Sequence, residues 1–246
     1  MVLDDLSAGH TQPSSSFRCG KGGRRGRSRR RGRGGVHAVV GLNGAGKTTL
    51  MRLLLGMLRP DSGRATVLGH DVRQAPHHVW SAVGHLIETS FAYPELTVRE
   101  NVTSTALLHG LTGSGLDAVD EVIETFELGH WSDRRASTLS LGNQQRLGLA
   151  SALVHRPSMV VLDEPANALD PAGVVFVRDL LTDCAGGGSA VFVSSHHLDQ
   201  LARVAQRITV LHRGRIVGAL DPGDSDLEQR FFNMVHRHDL STEAWG

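Results

Sequence analysis

Apolar residues along the chain fall into short continuous runs that alternate with stretches of helical spacing. Residues 36–40 form a β-branched run that ends at a glycine-rich loop, and residues 48–59 have helical apolar spacing up to Pro60. The first pattern predicts a buried strand and the second a helix. Further strands are predicted over residues 83–87, 159–162, 190–194, 208–211 and 215–219. Continuous apolar strands separated by helices predict an α/β fold with a mostly parallel sheet covered on both faces.

The stretch between residues 97 and 156 is polar and favours helix, and it interrupts the series of strands. It opens with Thr97-Val-Arg-Glu100, the pattern of a capping box, in which the Thr and Glu side chains satisfy the first amides of a helix. We expect a helical subdomain over about 89–156, inserted into an α/β domain that covers residues 36–222.

The two ends of the chain differ from this predicted domain. A helix over 226–237 is predicted within a C-terminal helical extension, residues 223–246. The apolar stripe of that helix consists of Leu227, Phe231 and Val235. Residues 1–35 are of low complexity, with eight arginines after residue 17, and cannot build a buried face. We expect this tail to be disordered, or to be an aberrant N-terminus produced by a frameshift or a wrong start.

Charged residues are distributed unevenly, although the net charge of the 246 residues is only +1. Residues 1–60 contain twelve basic and two acidic side chains, whereas residues 61–246 contain fourteen and twenty-three.

Two cysteines exclude a disulfide scaffold and favour a reducing compartment. The sequence contains no run of about 18 apolar residues, the length needed to cross a bilayer. We therefore expect a cytoplasmic protein.

A phosphate-binding motif follows the first predicted strand. Gly41-Leu-Asn-Gly-Ala-Gly46-Lys47-Thr48 fits the P-loop pattern G-x-x-x-x-G-K-[ST] between a strand and a helix. Glycines let the backbone amides turn inward around an anion, and the helix adds its positive end. We expect Lys47 to contact the β- and γ-phosphates of ATP and Thr48 to ligate Mg²⁺. The predicted nucleotide-binding residues here are Gly41, Asn43, Gly44, Ala45, Gly46, Lys47, Thr48 and Thr49.

Two carboxylates end the predicted strand at 159–162. Ligands of open α/β sheets bind at the carboxyl ends of strands, so Asp163 and Glu164 are expected beside the P-loop. Asp163 is predicted to hold Mg²⁺ through water, and Glu164 to orient or deprotonate the attacking water. Two solvated loop acids are the alternative, which the nearby P-loop disfavours.

These motifs, with a third, resemble the nucleotide-binding subunits of ABC transporters over roughly residues 36–237. Leu139-Ser-Leu-Gly-Asn-Gln-Gln-Arg146 resembles the family signature L-S-G-G-Q, with Leu141 and Asn143 as departures. The S-L-G form is similar to that of bacterial drug, antibiotic and lantibiotic-immunity exporters. The resemblance implies a head-to-tail dimer, in which Ser140, Gly142 and Asn143 of one subunit contact the ATP of the other. An ordinary capped helix is the alternative.

Further positions acquire roles only through this resemblance. Asn167-Ala-Leu-Asp170 resembles the D-loop, which implies a nucleotide-site contact for Asp170. His196, 32 residues after Glu164, matches the switch histidine that contacts the γ-phosphate, with His197 as the neighbouring alternative. Glu88 aligns with the glutamine of the family's Q-loop, as in the bacitracin and lantibiotic branch. This implies a catalytic and Mg²⁺-binding role for Glu88. The alternative is a solvated acidic residue in a loop.

The resemblance implies a P-loop NTPase (RecA-like) core with a helical subdomain and an incomplete antiparallel β-subdomain. The subdomain is expected to be incomplete because the Arg/Gly tract stands where its first strands belong. His10 and Phe17 are the two candidates for stacking on adenine. Phe91, Tyr93 and Pro94 are candidates for contacting a permease helix, with core packing equally favoured.

The function implied is ATP hydrolysis that drives export of a drug, antibiotic or peptide through a separate membrane permease. The subunit would act as a homodimer or heterodimer on the inner face of the cell membrane. An alternative is a soluble ABC-type ATPase that uses the arginine-rich tail on nucleic acid or ribosomes. That partner is less favoured, because ribosome-acting members carry two ATP modules in one chain. A pseudo-ATPase is a third possibility, which the intact Lys47, Asp163, Glu164 and His196 disfavour.

Overall fold

The computed structural model describes residues 34–88 and 92–243. The strands are β1 (Gly35–Val40), β2 (Thr66–Val67), β3 (His70–Asp71), β4 (Val83–Leu86), β5 (Met159–Asp163), β6 (Ala190–Ser195), β7 (Arg207–His212) and β8 (Arg215–Leu220). The α-helices are α1 (Lys47–Leu54), α2 (His77–Trp80), α3 (Val98–Leu108), α4 (Asp117–Thr125), α5 (Leu141–Leu153), α6 (Pro171–Gly186), α7 (Leu198–Ala202) and α8 (Leu227–Glu243). Short 3₁₀ helices are formed by Gly113–Leu116, Gly129–Trp131 and Ala136–Thr138.

Within the described part of the chain, six strands form the central sheet in the order β4-β5-β6-β1-β7-β8. The first five are mutually parallel, and β8 pairs antiparallel with β7. The carboxyl ends of β1, β4, β5 and β6 therefore meet at one edge of the sheet. This edge places the predicted P-loop, Glu88, Asp163 and His196 on the same side of the molecule, as the sequence predicts.

Two apolar layers enclose the sheet. Neighbouring residues of one strand enter different layers: Val160 and Leu162 pack into the larger cluster, whereas Met159 and Val161 pack into the smaller one. This alternation follows from the two-residue period of a strand, and it explains why β5 is apolar at every position before Asp163. The predicted α/β class and the mostly parallel sheet are confirmed.

Helices α3, α4 and α5 occupy the stretch in which a helical subdomain is predicted. The capping box of α3 is present, with the Thr97 and Glu100 side chains bonding each other's backbone amides. Helix α5 packs directly on β4: a Cβ added at Gly84 would lie 2.0 Å from the Ala152 carbonyl oxygen. Helix α5 thus ties this helical stretch to β4, the strand that precedes Glu88. The subdomain boundaries stay a prediction.

Helix α1 ends at Leu54, earlier than the predicted residue 59. The chain turns at Gly56, which has a φ of +68°, and the amides of Gly56 and Met57 bond back to the carbonyls of Leu53 and Arg52. This pattern is a Schellman motif, in which a glycine closes the helix. The apolar residues after Leu54 therefore continue the helical spacing without continuing the helix.

Helix α8 runs to Glu243, beyond the predicted residue 237, and packs against β8. The predicted stripe of Leu227, Phe231 and Val235 is buried in the larger apolar cluster. The Met234 Sδ atom fills the space in which a side chain at Gly218 would lie. The helix that was predicted as an extension thus shares the core of the sheet.

The strands β2 and β3 form a separate two-stranded antiparallel sheet. This small sheet agrees with the incomplete antiparallel β-subdomain that the sequence predicts. The candidates for adenine stacking, His10 and Phe17, lie outside the described residues, as do the arginine-rich segment to residue 33 and Phe91. Among the residues that are described, no helix is both long enough and apolar enough to span a bilayer.

Candidate nucleotide-binding site

The loop between β1 and α1 has the backbone shape of an anion cradle. Gly44 and Gly46 adopt φ values of +78° and +104°, which a residue with a Cβ rarely adopts. Gly46 is the N-cap of α1, and the first turn of that helix carries no acidic side chain. The positive end of α1 therefore faces the loop without a competing carboxylate in that turn.

The Lys47 ammonium is held over this loop and is almost completely buried. Its Nζ atom donates to the carbonyl oxygens of Gly41 at 2.8 Å and of Leu42 at 3.4 Å, and it lies 3.3 Å from Glu164 Oε1. A buried cation needs such partners, since desolvation without them is costly. Within the loop Asn43 is exposed and Ala45 is buried, and Thr49 is exposed on the first turn of α1.

Asp163 and Thr48 are in direct contact. The Thr48 hydroxyl donates to Asp163 Oδ2 at 2.5 Å, and the Ser194 hydroxyl donates to Asp163 Oδ1 at 2.5 Å. The Asp163 side chain is only 4% exposed, so these hydroxyls supply the hydrogen bonds that water cannot. The two oxygen donors predicted for Mg²⁺ therefore lie together.

Glu164 and His196 form the next contact along this edge. Glu164 has a φ of +49°, and its backbone amide donates to Ser194 Oγ at 3.0 Å. His196 Nδ1 lies 2.9 Å from Glu164 Oε2, and the His196 amide donates to the same oxygen at 3.3 Å. The amide of His197 instead bonds Ser195 Oγ. His196 rather than His197 is thus the histidine paired with Glu164.

The signature segment begins α5 but does not reach this site within one subunit. Ser140 is the N-cap, and its Oγ atom accepts from the Asn143 amide at 3.4 Å. A Cβ at Gly142 would lie 3.2 Å from the Ala168 carbonyl oxygen. Between the described residues, no hydrogen bond or ion pair joins the signature residues to the loop of residues 41–46. Leu141 is 70% exposed beside Ser140, so this helix end faces outward.

Asp170 caps α6 with its own side chain. Its Oδ1 atom accepts from the Gly173 amide at 2.8 Å, and Pro171 occupies the first turn. The preceding Ala168 has a φ of +65°. The loop from Glu164 to Asp170 is thus held at both ends, and its exposed face lies next to the signature helix.

Glu88 lies at the carboxyl end of β4 but is turned toward α1. Its Oε2 atom pairs with Arg52 at 2.5 Å, and both side chains are substantially exposed. The structure does not bring the Glu88 carboxylate into hydrogen-bond contact with Thr48 or Asp163. Arg52 was not among the residues predicted from the sequence. The only signal for it is its position on α1, on the side that meets the end of β4.

Tyr93 is 61% exposed, so it does not pack in the core, which is the alternative given above for this region. It lines an open apolar groove with Leu107 and Leu108 of α3. Its backbone is fixed by Asn101, whose Oδ1 atom accepts from the Tyr93 amide at 2.7 Å. Pro94 follows on the surface.

Known proteins are similar to this chain in both sequence and fold. The family described as ABC transporter matches residues 29–167, more than half of the chain. The chain belongs to the ABC transporter family. It is 35% identical over 185 residues to the bacitracin transport ATP-binding protein BcrA of Bacillus licheniformis, covering 75% of this chain and 60% of that protein. It is 39% identical over 186 residues to the daunorubicin resistance ATP-binding protein DrrA3 of Streptomyces coeruleorubidus, covering 75% and 59%.

A solved structure titled as the ATP binding subunit of an ABC transporter superposes with a TM-score of 0.73 at 25% identity. It covers 86% of this chain and 88% of that one. The chain spans about 60% of the length of the curated ABC transporter relatives named above. The resemblance to the antibiotic-exporter branch of the ABC transporter family is therefore confirmed.

The residues of this ABC transporter chain fit a bound Mg²⁺ ion. A hydroxyl and a carboxylate in contact are the hard oxygen donors that this ion takes.

Ser194 was missed by sequence reasoning, although it links Asp163 and Glu164. The only signal is its position at the end of a buried strand next to β5, where a polar residue is unexpected. Gln145 was missed too: its Nε2 atom donates to the Pro165 carbonyl at 2.9 Å and ties α5 to the loop after Glu164.

Proposed function

We propose that this chain binds and hydrolyses ATP as the subunit that drives export of an antibiotic, drug or peptide through a separate permease. The observation that carries the proposal is one connected set of contacts, in which Thr48 bonds Asp163 and both Lys47 and His196 contact Glu164. Ser194 joins the two halves of the set, because it bonds both Asp163 and the Glu164 amide. These side chains converge beside a loop shaped for phosphate. The transported class follows the names of the bacitracin transport and daunorubicin resistance relatives.

Each residue at this edge has a distinct task in the proposal. Lys47 and the amides of residues 44–49 bind the β- and γ-phosphates and offset the charge that develops on the γ-phosphoryl oxygens. Thr48 and Asp163 hold Mg²⁺, which supplies further neutralisation of phosphate charge when bound. Glu88, at the same edge, is a further candidate ligand of that ion.

Glu164 accepts the proton of the attacking water in this proposal. One of its oxygens faces Lys47 and the other faces His196, so the carboxylate is held in place on both sides. His196 positions Glu164 and contacts the γ-phosphate. Because Glu164 and the phosphates compete for the same ammonium, phosphate binding draws Lys47 away and leaves Glu164 able to accept a proton.

The second half of the site comes from another ATPase subunit. Ser140 caps a helix whose end is exposed, and Leu141 beside it is exposed as well. A head-to-tail homodimer or heterodimer places this helix end, with Gly142 and Asn143, at the partner's phosphates, and the loop of Asp170 between the two sites. The permease partner implies a location at the cytoplasmic face of the cell membrane. The nucleic-acid alternative depends on the arginine-rich tail, almost all of which lies outside the described residues.

The experiment combines ATP hydrolysis with size-exclusion chromatography of the full chain. Glu164→Gln is expected to lower turnover by roughly a hundredfold or more while ATP binding persists, and to accumulate an ATP-dependent dimer. Ser140→Arg is expected to abolish that dimer without abolishing ATP binding. Glu228→Gln, an exposed change on α8, is the matched control. Wild-type turnover in Glu164→Gln, or a strictly monomeric active enzyme, would contradict the proposal.

A further inference from the structure

Three potential metal ligands converge away from the predicted nucleotide site. His212 is the last residue of β7, and His238 and Asp239 lie near the end of α8. One ligand atom from each lies within 4.8 Å of the others. His212 is buried, and the other two are partly buried. The cluster is therefore a shielded contact between the sheet and the last helix.

Two imidazoles and one carboxylate are a ligand set typical of Zn²⁺. Tetrahedral bonds of about 2.0–2.1 Å place neighbouring ligand atoms roughly 3.3 Å apart. His212 Nε2 and Asp239 Oδ1 lie 2.8 Å apart and have to separate by only a fraction of an ångström. The His212 and His238 rings are 5.5 Å apart at 89°, so they do not stack and can turn their nitrogens to one ion. Water completes a fourth position.

Arg213 is the competing cation of this cluster. Its guanidinium lies 3.3 Å from Asp239 Oδ1, but the side chain is 60% exposed. An exposed ion pair contributes little free energy, so Arg213 can turn into solvent when a divalent ion binds. The charge on Asp239 then serves the metal instead of the arginine.

The cluster is adjacent to the phosphate-binding loop through the β7–β8 turn. The Gly214 amide, two residues after His212, donates to the Ala45 carbonyl at 2.8 Å. A Cβ at Gly46 would lie 3.4 Å from the Gly214 Cα atom. A bond between α8 and His212 therefore restrains the turn on which the phosphate-binding loop rests.

We propose that His212, His238 and Asp239 form a Zn²⁺-type cation site that fastens α8 to the β7–β8 turn. The site uses neutral imidazole nitrogens and an ionised carboxylate, so the ion binds without any covalent or redox step. It is separate from Thr48 and Asp163, whose hard oxygen donors suit Mg²⁺. Its occupancy does not depend on ATP hydrolysis.

Zinc titration of the chelator-treated full chain tests the site, with binding stoichiometry and thermal unfolding as readouts. Wild type is expected to bind one Zn²⁺ more than His238→Ala and to unfold at a higher temperature when zinc is added. Changes to outer-shell partners of metals already cost 10–100-fold in affinity, so loss of the His238 ligand should cost at least about tenfold. The matched control is His236→Ala, an exposed histidine two residues away on α8.

Co²⁺ gives a second readout, because a tetrahedral site with nitrogen ligands produces visible absorption that exposed histidines do not. Asp239→Asn, which keeps the size of the side chain, should weaken that absorption. Equal zinc stoichiometry and equal zinc-induced stabilisation in wild type and His238→Ala would overturn the proposal. So would a loss in His236→Ala as large as that in His238→Ala.

Discussion

His196 lies 2.9 Å from one oxygen of the Glu164 carboxylate, whose other oxygen lies 3.3 Å from Lys47. The carboxylate is 17% exposed, so few water molecules compete for these oxygens. Glu164 is thereby oriented at the end of β5 by two side chains from different elements. The Glu164 backbone has a positive φ, which non-glycine residues seldom adopt. Such a conformation persists only where the surrounding contacts hold it in place.

Removal of the His196 side chain should leave Glu164 oriented from one side only. We expect His196→Ala to lower kcat for ATP hydrolysis by roughly a hundredfold, the cost of a misplaced reacting group. The KM for ATP should change less, because Lys47 and the loop amides remain. Steady-state kinetics of the purified chain measure both constants. His197→Ala is the control, and an equal loss there would argue against a special role of the His196–Glu164 contact.

Ser194 joins the two carboxylate residues, donating to Asp163 and accepting from the Glu164 amide. Ser194→Ala leaves a buried carboxylate oxygen and a backbone amide without this partner. The expected cost is about 1–3 kcal/mol in the free energy of unfolding, together with lower turnover. Chemical denaturation and ATPase assays test it. Ser195→Ala, one residue later, should retain turnover; a larger loss there than in Ser194→Ala would contradict the assignment.

The strands and several carboxyl-edge residues could be predicted from the sequence because the apolar runs at 36–40 and 159–162 lead directly into functional residues. Asp163 and Glu164 follow directly on such a run, and Lys47 lies in a motif whose glycines dictate the backbone. Ser194 could not be found this way, since its two bonds depend on the register between β5 and β6. The partner of Glu88 was missed for a similar reason: Arg52 is brought to it by the packing of α1, 36 residues earlier in the chain.

Glu88→Gln should affect turnover, or its coupling to transport, more than it affects ATP affinity. The substitution removes a charge at the carboxyl end of β4 and weakens the pair with Arg52, which is exposed and contributes less than about 1 kcal/mol. Stability should therefore change little. ATP-binding isotherms and hydrolysis rates, compared with and without the permease, provide the measurement. An unchanged coupled rate together with weakened ATP binding would contradict this expectation.

Acid should destabilise the fold through His155, which follows α5. Burial is the main cause that lowers the pKa of His155 to about 4, and the charge of His109, whose ring stacks on it at 3.6 Å, lowers it further. The unfolded chain binds this proton near pH 6.5, well before the folded protein does. The contribution of the neutral His155 ring to the free energy of unfolding is therefore fully present above about pH 6.5. It is lost as the pH falls toward 4.

His155→Gln removes that titration and should flatten the loss of stability between about pH 6.5 and pH 4 by on the order of 1–2 kcal/mol, since the residue as a whole is only partly buried. Some slope should persist, because burial also lowers the pKa of His37 to about 4. Denaturant unfolding at several pH values measures the difference. The control is His130→Gln, an exposed change that should leave the profile unaltered. A His155→Gln profile as steep as that of wild type would show that His155 carries no such linkage.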